Sequence, residues 1–222
     1  MARRCVVAID GPSGSGKSTV ARRLAQRLGA AYLDTGAMYR AVTWRVLRED
    51  VDLADPQAIA KVADHVRLES GTDPAQPRIW ADGVAVDGPI RGPEVTTAVS
   101  VVAAVPAVRR LLVDQQRQII DATGRIVVEG RDIGSVVAPQ ADLKVFLTAS
   151  ADERARRRST QDATDAGATA AALARRDELD ATRSADPLRQ VADAVVLDTT
   201  TMDIDAVVAR LYELACARGV EQ

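Results

Sequence analysis

Ile9-Asp10-Gly11-Pro12-Ser13-Gly14-Ser15-Gly16-Lys17-Ser18-Thr19 is the stretch on which the fold turns. From Gly11 to Ser18 it satisfies G-x-x-x-x-G-K-[ST] at every position. The β-branched apolar run Arg4 to Ile9 precedes it and reads as a buried strand. A helical pattern follows over Lys17 to Leu28, with Val20, Leu24, Ala25 and Leu28 on one face and Gly29 at its end. Strand, glycine-rich turn and helix in this order let backbone N–H groups curl around a β-phosphate at a helix N-terminus. Gly11, Pro12, Ser13, Gly14, Ser15 and Gly16 would form that cradle. Lys17 would reach the β- and γ-phosphates, and Ser18 would offer its hydroxyl to Mg²⁺. The motif predicts a bound nucleoside triphosphate and leaves motor, switch and kinase readings open.

Outward from this loop, strand-like and helix-like segments alternate. Tyr32-Leu33, Arg125 to Glu129, Leu143 to Leu147 and Ala194 to Leu197 read as further strands. Helices are expected over Gly36 to Leu47, Pro56 towards Val66, Gly92 to Ala104, Pro106 to about Asp121 and Ile204 to Ala217. The expectation is an α/β fold: a P-loop core with a five-stranded parallel sheet flanked by helices. Val66 to Gly92 has a different texture, with Pro74, Pro77, Pro89 and short β-like runs at Val66-Ser70, Arg78-Ala81 and Val84-Val86. Asp82-Gly83 between the last two is a type I′ hairpin signal, so a small antiparallel β insertion is expected. Asp152 to about Ser159 begins helically, apolar periodicity lapses through Gly167, and it returns between Ala168 and Leu179.

Composition removes whole classes. At 222 residues, with 47% hydrophobic and 27% charged residues, the chain can bury a sizeable core, and disordered or disulfide-scaffold readings fall away. A net charge of -2 argues against a nucleic-acid coat. Lys17, Lys61 and Lys144 are the only lysines among 29 basic residues, and asparagine is absent, so no Asn-Lys-x-Asp guanine-reading motif exists. Cys5 and Cys216 look like small core hydrophobes without metal-ligand spacing. After Met1-Ala2-Arg3-Arg4 the apolar run Cys5 to Ile9 is too short for a signal peptide, and Val99 to Val108 is interrupted by Ser100 and Pro106. A soluble cytoplasmic protein with no membrane span is expected.

Three further stretches carry chemistry. Asp34-Thr35-Gly36-Ala37-Met38-Tyr39-Arg40 follows the second strand, where a hydroxyl and an aromatic could hold a base and an arginine could fork onto a phosphate. The same residues also suit an ordinary capped helix start with Tyr39 in the core. Ile126 to Gly134 is a strand discharging into the charged turn Glu129-Gly130-Arg131-Asp132, at the strand end where parallel sheets bind ligands. Glu129 could order Mg²⁺-bound water there; the alternative is a structural Arg–Asp pair. Arg154, Arg156, Arg157, Arg158 and then Arg175, Arg176, Asp177, Asp180, Arg183 bracket the aperiodic stretch. They could clamp phosphates from a flap or be a solvated helix face with pairs such as Arg176–Asp180.

Taken together these motifs resemble the bacterial cytidylate kinases, nucleoside monophosphate kinases that phosphorylate CMP and dCMP. The likeness runs over nearly the whole chain, through Ile9 to Gly14, Asp34 to Arg40, Ile90-Arg91, Val105 to Arg109, Glu129 to Gly134 and Arg176 to Arg183. It implies ATP and CMP or dCMP as substrates, Mg²⁺ as cofactor, and a monomer. It implies Gly11 to Thr19 with Arg154 and Arg157 at ATP, and Ser18 and Glu129 (through water) at the metal. Thr35, Arg109 and Asp132, with Tyr39 beside them, would read cytosine. Arg40, Arg131 and Arg183 would clamp the CMP phosphate, and Ser100, Arg176 and Asp180 would meet the sugar hydroxyls. Lys17, Arg131, Arg183 and Arg158 would neutralise charge during transfer. The implied division is a core over about 1–34, 105–153 and 184–222, an acceptor region over about 35–104 containing the insertion at 66–92, and a helical lid over about 154–183. Leu179 departs from the pattern, which often has another arginine there. A kinase for another small acceptor, or a nucleotide-binding regulator, is the rival expectation.

Overall fold

A computed structural model describes residues 5–162 and 165–220 of the chain. The Met1-Ala2-Arg3-Arg4 opening, with the expected strand start at Arg4, lies outside the described residues, as do Ala163 and Thr164 of the expected lid. The elements run β1 (Cys5–Asp10), α1 (Lys17–Leu28), β2 (Ala31–Asp34), α2 (Thr35–Arg48), α3 (Pro56–His65), β3 (Leu68–Ser70), β4 (Ile79–Ala81) and β5 (Val84–Ala85). Then come α4 (Pro93–Ala104), α5 (Pro106–Thr123), β6 (Arg125–Gly130), β7 (Leu143–Thr148), α6 (Ala151–Asp162), α7 (Ala166–Thr182), β8 (Val195–Asp198) and α8 (Ile204–Ala217).

The main sheet has five strands in the order β2-β6-β1-β7-β8, every neighbouring pair parallel. Side chains alternate between its faces, so each strand feeds two cores. Val7, Ile9, Tyr32, Val127, Val145 and Leu147 pack with α1 and α8. Ala8, Leu33, Ile126 and Val128 pack on the opposite face with α2, α3, α4 and α5. Proline opens α3, α4 and α5, where the missing N–H costs no helical bond. The insertion is a three-stranded antiparallel sheet, β3-β4-β5. Asp82 at φ 52° and Gly83 at φ 76° join Ala81 to its partner Val84, the expected type I′ turn. Among the described residues no single helix is long and apolar enough to cross a membrane; α4 and α5 meet both requirements only together, across a 94° bend.

The stretch where apolar periodicity lapses is mostly helical, as expected: α6 runs to Asp162, and α7 starts at Ala166 behind Asp165, whose carboxylate caps it by accepting from Ala168 N–H at 2.8 Å. Alanine and an N-cap hold this helix without an apolar stripe. Cys5 is buried as expected, but Cys216 on α8 is only partly buried.

The parallel register sets the ends of three strands level, pairing Asp34 with Glu129, Ile9 with Glu129, and Asp10 with Gly130. Asp10 is 6% exposed, and its two carboxylate oxygens accept from Ile133 N–H and Gly134 N–H, each at 2.8 Å. These bonds tie the end of β1 to a wide helical turn at Ile133–Val137, where Ala138 N–H reaches back five residues to Ile133 at 2.7 Å. Burial raises the Asp10 pKa to about 6, against the lowering effect of its two N–H donors. The folded state therefore holds the proton more tightly than the unfolded chain does. The stability this contributes is complete below pH about 4 and declines as pH rises to about 6, by on the order of 3 kcal/mol. Asp10→Asn removes that titration. In urea unfolding series, the stability gap between wild type and Asp10→Asn should shift towards the variant by about that amount between pH 4 and 7; a pH-independent gap would refute the assignment.

Candidate active site

Between β1 and α1 the chain turns through Gly16 at φ 88°, a conformation that a β-carbon would strain. No side chain caps α1, so its first N–H groups stay directed at the loop. Lys17 is 7% exposed; its ammonium donates to the Pro12 carbonyl at 2.7 Å and to Ser15 Oγ at 3.4 Å. Burial, reinforced by the nearby Arg131 charge, pushes its pKa down, and Glu129 opposes the shift. A phosphate oxygen could take the place of the Pro12 carbonyl.

Glu129 lies at the end of β6, 3% exposed. The Tyr32 hydroxyl donates to its Oε1, and the Ser18 hydroxyl is a second donor to the carboxylate. Burial and the adjacent Asp34 charge raise its pKa, while Lys17 lowers it. Ser18 and Glu129 supply hard oxygen donors. Among the described residues no cluster of His, Cys, Asp or Glu could hold an ion by itself. That donor set fits Mg²⁺, which keeps much of its water and is shared with nucleotide phosphates. Ser18, Thr19, Tyr32 and Asp34 border a cavity of about 330 Å³ between α1 and the insertion.

The other side of β6 meets α2. Thr35 Oγ1 donates to the Glu129 carbonyl at 2.7 Å, and a β-carbon on Gly130 would come within 2.6 Å of that hydroxyl. Only glycine lets the turn pass so close to Thr35. Asp132 is ion-paired with Arg109, and Arg183 stands 3.7 Å from its other oxygen. Arg109 also donates to Asp186 at 2.7 Å and lies over the Tyr39 ring at 5.4 Å. Burial raises the Tyr39 pKa to about 12. Tyr39, Arg109, Asp132, Arg183 and Asp186 thus form one polar group beside the turn after β6.

Beside it, positive charge converges. Arg131 donates to Asp180 at 2.8 Å, to the Gly11 carbonyl at 2.8 Å and to Ser13 Oγ at 2.5 Å, tying the turn to the phosphate loop. Ser100 donates to Asp180 at 3.3 Å. Arg40 is aimed by the Ile90 carbonyl at 3.0 Å and Thr96 Oγ1 at 2.9 Å. Burial lowers the Arg40 pKa to about 10 and that of Arg176 to about 9, and their like-charged neighbours Arg131 and Arg158 push the same way. The Arg176 Nε atom is buried without a hydrogen-bond partner. A dianionic phosphate would relieve both the repulsion and that unmet donor.

The first arginine cluster on α6 is divided by its helical geometry. Arg154 donates to the Ser13 carbonyl at 3.0 Å and pairs with Asp177, whose other oxygen accepts from Ser13 N–H at 3.2 Å. Arg157 donates to Glu153 at 2.8 Å and to the Thr199 carbonyl at 2.6 Å. Arg158 lies close enough to Arg40 and Arg176 for its charge to lower the pKa of both. Arg156, exposed and paired with Glu153 at 2.7 Å, and the exposed Arg175 are the solvated face. Leu179 is also exposed. Sequence reasoning missed Asp10, Tyr32 and Asp186, and gave Asp177 no role. Tyr32 could have been found from its period-2 spacing to Asp34 at the strand end, whereas nothing local marks Asp186 as the partner of Arg109.

Comparison with known proteins agrees with this geometry. The family model described as cytidylate kinase matches residues 7–217. The chain is 54% identical over 223 residues to the cytidylate kinase of Rhodococcus opacus (strain B4), covering 98% of this chain and 97% of that one. It is 56% identical over 211 residues to the cytidylate kinase of Nocardia farcinica (strain IFM 10152), covering 93% and 91%. Among solved structures, an uncharacterized protein from Eubacterium ventriosum ATCC 27560 aligns over 96% of this chain and 99% of its own, with TM-score 0.55 and 11% identity, a likeness of fold alone. A phosphate loop facing a second, arginine-rich polar group across β6, together with a family match over almost the entire length, places the chain in the cytidylate kinase family.

Proposed function

We propose how the family's reaction, ATP-dependent phosphorylation of CMP and dCMP to CDP and dCDP, is divided among this chain's residues. The phosphate loop from Gly11 to Thr19 holds ATP, with Arg154 and Arg157 over it. The group on the α2 side of β6 holds the acceptor. There Thr35, Arg109 and Asp132 read the cytosine edge, whose N4 donor and N3 and O2 acceptors suit a hydroxyl, a guanidinium and a carboxylate, with Tyr39 beside them. Arg40, Arg131 and Arg183 hold the CMP phosphate, and Ser100, Arg176 and Asp180 meet the sugar. The observation that carries this division is the buried convergence of Arg40, Arg131 and Arg176, whose mutual repulsion a strongly anionic ligand would offset.

In-line transfer asks the protein for positioning and charge stabilisation rather than covalent chemistry. Lys17, Arg131, Arg158 and Arg183 spread over the moving phosphoryl group's charge, and the acceptor phosphate needs no general base because it is already anionic. Ser18, and Glu129 through water, would hold Mg²⁺, which when bound shields the β- and γ-oxygens. We take 1–34, 105–153 and 184–222 as the core, 35–104 as the acceptor region and 154–183 as the lid. We further propose a monomer working in the cytoplasm, without nucleic-acid or membrane partners. The residues assigned to both nucleotides come from one chain, and a net charge of -2 provides no polyanion-binding field.

ADP formation should be stimulated by CMP and dCMP above UMP, AMP, GMP, dTMP and shikimate, measured in parallel; turnover indifferent to the acceptor would sink this reading in favour of a regulator, and stimulation chiefly by another acceptor would favour a different kinase. Asp132→Ala should lower kcat/KM for CMP by about 10–150-fold, the loss of a hydrogen bond to a charged group, and narrow the preference over UMP. Lys17→Met should lower kcat by about 10²–10³-fold with the protein still folded by circular dichroism. Chelation of divalent metal should stop turnover and added Mg²⁺ restore it.

A further inference from the structure

We propose that Tyr32 is a positioning residue for phosphoryl transfer: its hydroxyl fixes the orientation of Glu129 and thereby sets how tightly the nucleotide-bound metal is held. The inference rests on the reading of Glu129 as the metal-side carboxylate.

Tyr32 is 1% exposed on β2, and its side chain lies in the α1-facing core with Val127, its register partner on β6. Glu129 is two residues further along β6 on the same face, opposite Asp34. Two residues of strand span about 6.6 Å, which is the reach of a tyrosine side chain laid along the sheet. The ring thus fills the space beside Val127 while its hydroxyl arrives level with the carboxylate and donates to Oε1.

A glutamate at this place has a competing partner. Lys17 attracts it through a buried, low-dielectric gap, and Lys17 is needed for phosphate. The Tyr32 hydroxyl, with Ser18 as a second donor, occupies the carboxylate and holds it away from the ammonium, which donates to Pro12 and Ser15 instead. Tyr32 also borders the cavity of about 330 Å³ together with Ser18, the proposed metal donor, Thr19 and Asp34. Packing alone accounts for the ring and leaves the hydroxyl unexplained. A residue that orients a metal-side group without touching the metal commonly contributes 10–100-fold to metal affinity.

The test is Mn²⁺ affinity of the enzyme–ADP complex, read by electron paramagnetic resonance, together with KM for CMP, in Tyr32→Phe, Glu129→Gln and the double variant. Tyr32→Phe keeps the ring; the expected result is Mn²⁺ binding weakened about 10-fold with KM for CMP unchanged. Glu129→Gln should weaken it as well, and the double variant should be no weaker than Glu129→Gln alone. Weakening in Glu129→Gln but not in Tyr32→Phe, or additive losses, overturns the inference and leaves the reading of Glu129 standing. Wild-type affinity in Glu129→Gln overturns that reading and the inference with it. Should Tyr32→Phe not fold, Glu129→Asp withdraws the carboxylate from the hydroxyl and is expected to give a similar loss; wild-type affinity there also overturns the inference.

Discussion

The parallel register of β2, β6 and β1 is the constraint on which the rest depends. It brings Asp34, Glu129, Gly130 and Asp10 to one level at the carboxyl edge of the sheet. A one-residue slip of β6 would turn the Glu129 side chain to the opposite face. Glu129 then works in two directions: its carboxylate meets Tyr32 and Ser18 on the α1 side, and its carbonyl accepts from Thr35 on the α2 side. The two proposed nucleotide sites would therefore share a single residue of β6.

Charge is arranged around that edge in two different ways. In the Arg109–Asp132–Arg183 group, acid and base are matched, with Asp186 completing it. Buried pairs of this kind add little net stability, since desolvation offsets most of their attraction. They are better understood as fixing the geometry of hydrogen-bonding atoms. Around Arg40, Arg131 and Arg176 positive charge outweighs negative, with Asp180 countering Arg131 and Arg176 and Asp34 countering Arg40. Burial raises the free energy of such unmatched charge, and the compensation has to come from an anionic ligand. Stability is given up locally so that phosphate binding is favourable.

The lid follows from the spacing of its arginines. At 100° per residue, Arg154, Arg157 and Arg158 share a broad inner face of α6 while Arg156 points to water. Arg154 and Asp177 fasten α6 and α7 to Ser13 of the phosphate loop, and Arg157 reaches the chain after β8. Asp180 connects α7 to Ser100 of α4 and to Arg131. Through Asp177 and Asp180, α7 is thus bonded both to the phosphate loop and to the turn after β6.

Sequence alone determined what is governed by near neighbours. The strand–glycine turn–helix of the phosphate loop, the Asp82-Gly83 hairpin, the five strands and the span of α8 all follow from local backbone preference and apolar period, and they are found as read. At the ends of β2 and β6 the sequence left a ligand site and an ordinary structural role both open, and the structural features are present: Asp34 caps α2 and Asp132 pairs with Arg109. Partners were another matter. Asp10 looked like part of the loop and proved to anchor the turn after β6, across 123 residues of chain. Tyr32 read as a plain strand residue, and Asp186 as part of a connection. Helical period separates Arg156 from the other three α6 arginines, but it does not assign their partners. Which of them meets the phosphate loop, β8 or the acceptor side was decided only by tertiary packing, because a hydrogen-bond partner distant along the chain leaves no trace in local propensity or periodicity.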